Sequence, residues 1–95
     1  MAEEKTRNAV QRMLNGGMQK EYKFDNGYGA SVVCSPYSYG GTQGLWEIAV
    51  LHSDEIVYDT PVTDDVIGYL SETEVEEILD QIEALPPRTT ETGAL

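Results

Sequence analysis

The chain has 95 residues, of which 40% are hydrophobic: enough for one domain with a modest core, and too apolar for a disordered chain. Seventeen Asp and Glu against six Lys and Arg give a formal net charge of -11, which disfavours direct binding to nucleic acid or an anionic membrane. There is one cysteine, Cys34, so no intrachain disulfide can form.

No apolar run approaches the roughly 20 residues of a membrane span, and Met1-Ala2-Glu3-Glu4-Lys5 lacks the apolar segment of a signal peptide. A reducing, cytoplasmic setting is expected. The charge is unevenly spread. Residues 1–24 hold five of the six basic side chains and three acids, a net of +2, whereas residues 25–85 hold 13 acids and no Lys or Arg.

In chain order, Glu3 to Leu14 reads as a short helix with Val10, Met13 and Leu14 on one narrow face. Asn15-Gly16-Gly17 would stop it. Met18 to Phe24 alternates as a strand, Asp25-Asn26-Gly27 is a tight-turn signal, and Gly29 to Ser35 resumes as a strand. The expected first hairpin therefore pairs Tyr22–Phe24 with Ala30–Cys34. A ten-residue loop from Ser35 to Gly44 follows, with Pro36 and three glycines.

Leu45 to Leu51 is apolar on both faces and is expected as the central strand. It turns at His52 to Glu55 into Ile56-Val57-Tyr58. Pro61 leaves the sheet, and Thr63-Asp64-Asp65 reads as the cap of a short helix through Leu70. Ser71-Glu72-Thr73-Glu74 is a capping box ahead of the stripe Val75, Ile78, Leu79, Ile82 and Leu85. Pro86-Pro87 ends that helix.

The expected fold is α+β: a small antiparallel sheet of about four strands in two hairpins, with the C-terminal amphipathic helix on one face and a short N-terminal helix. The expected segments are a helix and Gly-rich linker over 1–19, a single domain over 20–85, and a flexible tail over 86–95.

Tyr22-Lys23-Phe24-Asp25-Asn26-Gly27-Tyr28-Gly29-Ala30-Ser31-Val32-Val33, with Gly44 to Leu51 and Tyr58 to Leu70, resembles a group of small acidic open reading frames of tailed bacteriophages. The resemblance spans about Tyr22 to Leu85. It implies a phage or prophage origin and a location in the host cytoplasm, and it transfers no activity and no site residues.

Two binding surfaces suggest themselves. Tyr28, Tyr37 and Tyr39 among Ser and Gly have the composition of a contact surface, against the plainer reading that they cover sheet edges. Glu72, Glu76, Glu77, Asp80 and Glu83 form the polar side of the last helix; they can be a solvated face or a row of charges that imitates phosphates. Asp59, Asp64 and Asp65 do not have EF-hand spacing. His52 and Cys34 form a nucleophile pair only if the fold brings them together.

Trp46 is expected in the core. If it lay on the face away from the long helix, Trp46, Tyr22 and Phe24 would form an association surface, for instance for a homodimer. The expectation is a non-enzymatic protein without cofactor or metal. It would bind a host or phage protein, a basic one being favoured by the charge, through the Tyr-rich loop and acidic surface. The alternatives are nucleic-acid mimicry that inhibits a host DNA- or RNA-binding factor, and a small metal-binding protein or enzyme.

Overall fold

A computed structural model of the chain describes residues 9–14, 16–53, 55–63 and 65–87. The elements are β1 (Ala9–Leu14), β2 (Gly17–Lys23), β3 (Tyr28–Cys34), a 3₁₀ turn (Gly41–Gln43), β4 (Trp46–His52), β5 (Glu55–Ile56), β6 (Ile67–Leu70) and α1 (Glu72–Glu83). The sheet is antiparallel in the order β1-β2-β3-β4-β5, and β6 pairs with β4 beside β5. This is the α+β arrangement of sheet and C-terminal helix expected from the pattern, with more strands.

β4 is the central strand. Ile48 and Val50 are buried on one face, Ala49 and Leu51 on the other, because β3 flanks β4 on one side and β5 and β6 share the other. The face bearing Ala30, Val32, Ile48 and Val50 receives α1 through Val75, Leu79, Ile82 and Leu85. Trp46 continues that face, half-buried against the same core, with the Lys20 ammonium 5.1 Å from its ring centre. Tyr22 is buried there as well and Phe24 packs beside it, so the three lie on the helix-bearing face and the association surface expected on the opposite face is not formed by them.

α1 begins as its sequence dictates. The Ser71 hydroxyl accepts from the Glu74 backbone N–H at 3.2 Å, and the Glu74 carboxylate accepts from the Ser71 N–H at 2.8 Å. Its C-terminus is closed from far away. The Asn26 side-chain amide, in the β2–β3 turn, donates to the carbonyls of Ile82 at 2.9 Å, Glu83 at 3.2 Å and Leu85 at 2.9 Å. Asn26 Oδ1 accepts the Tyr28 N–H at 2.9 Å, so one side chain shapes the turn and caps the helix.

Two expected helices are strands. Residues 9–14 of the N-terminal helix form β1, paired with β2 from Ala9↔Tyr22 to Leu14↔Gly17; residues 3–8 lie outside the described residues. Of the expected helix stop Asn15-Gly16-Gly17, Gly17 opens β2 opposite Leu14 and Gly16 has φ +80° ahead of it, while Asn15 lies outside the described residues. The narrow apolar face gave the helix nothing to dock on, whereas pairing with β2 satisfies its backbone. The expected boundary at 19/20 consequently falls inside β2.

The short helix expected after Thr63 is replaced by a turn and β6. Thr63 Oγ1 does accept from the Asp65 N–H at 3.0 Å, as a cap would. The residues that follow, Val66-Ile67-Gly68-Tyr69, are β-branched, glycine and aromatic, poor helix formers that fit beside β4. Among the described residues, no helix is long and apolar enough to cross a membrane.

Candidate functional site

The Ser35–Gly44 loop is built to hold one shape. The Ser38 hydroxyl accepts from the Ser35 N–H at 2.9 Å and donates to the Ser35 carbonyl at 3.0 Å. Ser35, itself buried, accepts the Tyr37 N–H on its hydroxyl at 3.1 Å. Further along, the Gly40 carbonyl accepts from the N–H groups of Gln43 and Leu45, both at 3.0 Å. Gly40 sits at φ +90°, where a Cβ would lie 2.9 Å from the Tyr69 Cα. Only glycine lets the loop lie this close to β6.

The loop is then tied to the sheet on both sides of Tyr39. The Tyr39 N–H donates to the Glu47 carboxylate at 2.9 Å, and its carbonyl accepts from the Tyr69 N–H at 3.2 Å. Gly68 passes against the Tyr39 side chain so closely that a Cβ would collide with it. Tyr69 has φ +59°, rare for an aromatic residue, and lies in the strand whose register with β4 is irregular between Trp46 and Ile48. Strand irregularities of this kind redirect side chains.

The result is one patch at the end of the sheet. Tyr37 is 83% exposed, and Tyr39 and Tyr69 are both exposed large rings, carried on backbone that is already fixed. Two residues beyond Tyr69, Ser71 starts α1, so the patch runs into a first turn that carries Glu72 and Glu74. Glu72, Glu76, Asp80 and Glu83 follow on one side of the helix, all exposed, with Glu77 exposed beside them. At 1.5 Å per residue this acidic row extends about 16 Å.

Of the expected site residues, Tyr37 and Tyr39 are in this patch; of the five acids Glu72 stands in the helix turn next to it, whereas Glu83 lies at the helix end that Asn26 caps, away from it. Tyr28 is elsewhere. It is 7% exposed, at the far end of β3, with its ring edge-on to His52 at 5.0 Å. It is a core residue because its alternation within β3 turns it inward. Tyr69 was missed by sequence reasoning that placed it in a helix. The signal that could have found it is Gly68-Tyr69 after two β-branched residues.

Other candidates are not brought together. Tyr28 pairs with His52 in the β3–β4 ladder, and Cys34 is six residues further along β3, about 20 Å away at 3.3 Å per residue. They form no nucleophile pair. Cys34 is half-buried, its thiol 3.8 Å from the Gly41 carbonyl. Asp65 caps its own turn by accepting the Val66 N–H at 2.8 Å, and Asp64 lies outside the described residues. Among the described residues, no group of three His, Cys, Asp or Glu is placed to hold a metal ion.

Sheet, helix and aromatic patch define a small α+β protein whose most distinctive surface is a constrained loop of exposed tyrosines beside an acidic helix. No protein-family model, curated protein or solved structure matches the chain.

Proposed function

We propose that this is a non-catalytic binding protein that engages a protein partner, of host or phage origin, through Tyr37, Tyr39 and Tyr69, with the acidic side of α1 flanking the contact. The observation that carries this reading is the set of hydrogen bonds that ties the Ser35–Gly44 loop together beneath exposed rings. Tyrosine supplies large contact area at low entropic cost, and here the backbone beneath it is fixed by hydrogen bonds and by Tyr69 in a left-handed conformation. Unusual backbone held by its surroundings gathers at functional sites. The acidic flank selects for a partner with a basic rim and speeds encounter with it.

A second reading rests on the acidic row itself: Glu72, Glu76, Asp80 and Glu83 occupy the nucleic-acid site of a basic host factor. Affinity capture from a bacterial lysate at low and high salt, with the wild type, Tyr37→Ala, Tyr39→Ala and a helix with those acids changed to Gln, separates the two. A partner kept at high salt and lost with either tyrosine supports loop-led binding. A partner lost at high salt and with the Gln helix supports mimicry. A partner indifferent to all of these changes overturns both.

A further inference from the structure

β1 ends the sheet: among the described residues, β2 is the one strand that pairs with it. In an edge strand, alternate residues turn their N–H and C=O groups outward, where the sheet does not pair them. Proteins usually protect such edges with proline, bulges, short strands or charge. The opposite edge of this sheet is protected in that way, since β5 has two residues and β6 has four with an irregular register. β1 has six residues in unbroken register, no proline, and Arg12 as its one charge. Residues 9–13 are all exposed, with Val10 at 57% and Met13 at 76%.

We infer that β1 pairs antiparallel with β1 of a second copy of this chain, about a two-fold axis at Gln11, joining the two sheets into one. The sequence of β1 matches itself in this register. Gln11 lies opposite the partner's Gln11, Ala9 opposite the partner's Met13, and Val10 opposite the partner's Arg12. Centring on Arg12 instead would set two guanidinium groups face to face, which is unfavourable. Centring on Val10 would confine the ladder of described residues to 9–11.

Charge adds to the match. Arg12 already meets Glu21 at 3.4 Å within its own chain, and Glu21 pairs with Val10. The partner's Arg12, opposite Val10, therefore lies two strand spacings from Glu21 on the same face, about 10 Å between backbones, within reach of the two side chains. The single seam gathers two Arg and two Glu.

Charge also explains why two copies would meet here and not elsewhere. At a net charge of -11 the copies repel. The 13 acids of residues 25–85 lie beyond β2, and α1 packs on β3, β4 and β6. The β1–β2 hairpin holds Arg12, Lys20 and Lys23 against Glu21. Joining at β1 keeps the acidic bodies at opposite ends of the dimer. β1 shares no residue with the tyrosine patch, so the variants that test the dimer differ from those that test the partner proposed above.

The test uses the full chain. Sedimentation velocity from micromolar to millimolar concentration is expected to show monomer passing to dimer and stopping there. Gln11→Lys, which places two ammonium groups opposite one another, should raise the dimer dissociation constant about tenfold or more. In a Cys34→Ser background under oxidised glutathione, Gln11→Cys should form a covalent dimer, because facing residues are about 4.5–5.5 Å apart between Cα atoms. Met13→Cys should not, since the two copies of that position are four residues apart along the ladder, about 13 Å. Circular dichroism checks that the helix is retained; should Gln11→Lys alter it, the comparison of the two cysteine variants decides. A monomer at every concentration, a dissociation constant unmoved by Gln11→Lys in a folded chain, or equal cross-linking by both cysteines would overturn the inference.

Discussion

Removing the Asn26 side chain is expected to cost more than any ordinary turn residue. Its amide has two hydrogens shared among the carbonyls of Ile82, Glu83 and Leu85, and its oxygen accepts the Tyr28 N–H. That amounts to three effective hydrogen bonds at about 0.5–1.5 kcal/mol net each. Ile82 retains a donor in the Leu85 N–H at 3.1 Å, so the expected loss for Asn26→Ala is about 2–3 kcal/mol. In a domain of this size that lowers the melting temperature by roughly 10–20 °C.

Asn26→Asp sharpens the test. It keeps the acceptor for Tyr28 but aims a carboxylate at the negative end of a helix whose last turn holds no basic residue. At neutral pH it should be less stable than Asn26→Ala. The folded state would raise the pKa of the new carboxyl, so the penalty is present at neutral pH and is relieved as pH falls and the group protonates. The gap between the two variants should therefore close toward about pH 4 and below. Urea unfolding of both variants across this range is the assay. An Asn26→Asp variant as stable as Asn26→Ala at pH 7, or an Asn26→Ala loss below about 0.5 kcal/mol, would refute the reasoning.

Leu79 is fully buried where α1 meets the sheet, so Leu79→Ala should cost about 2–5 kcal/mol in urea unfolding, against less than about 0.5 for exposed Glu77→Ala. Gly40→Ala combines a positive φ with a Cβ pressed on the Tyr69 backbone; it should cost about 1–3 kcal/mol in thermal unfolding and shift the amide resonances of Tyr39 and Tyr69.

The helix α1 and the β2–β3 hairpin were legible because their signals are local: Ser71 and Glu74 are three residues apart, and Asp25-Asn26-Gly27 separates two alternating runs. Residues 9–14 defeated the same reasoning because Ala9-Val10-Gln11-Arg12-Met13-Leu14 satisfies both periods, and an Asn-Gly pair serves a hairpin as well as a helix end. Ile67–Leu70 was misread because the capping bonds of Thr63 and Asp65 do form, but around a turn. The tyrosine patch was half legible. Composition pointed to Tyr37 and Tyr39, while Tyr69 entered through a strand pairing and Tyr28 left through burial. The role of Asn26 carries no local signal, since its acceptors are 56 to 59 residues away.

The order of the elements bears on synthesis. The meander β1 to β4 is complete at His52, whereas α1, which brings Val75, Leu79, Ile82 and Leu85 onto its apolar face, follows β6. As the chain leaves the ribosome, Ala30, Val32, Ile48 and Val50 form a surface before α1 exists to cover it, and the Asn26 clasp closes only when Leu85 has emerged. For that interval the nascent sheet shows both a bare apolar face and an open strand edge, the two features that make partly folded chains adhere to one another. Crowded translation on one message, which holds such chains side by side, is the condition this architecture meets least well.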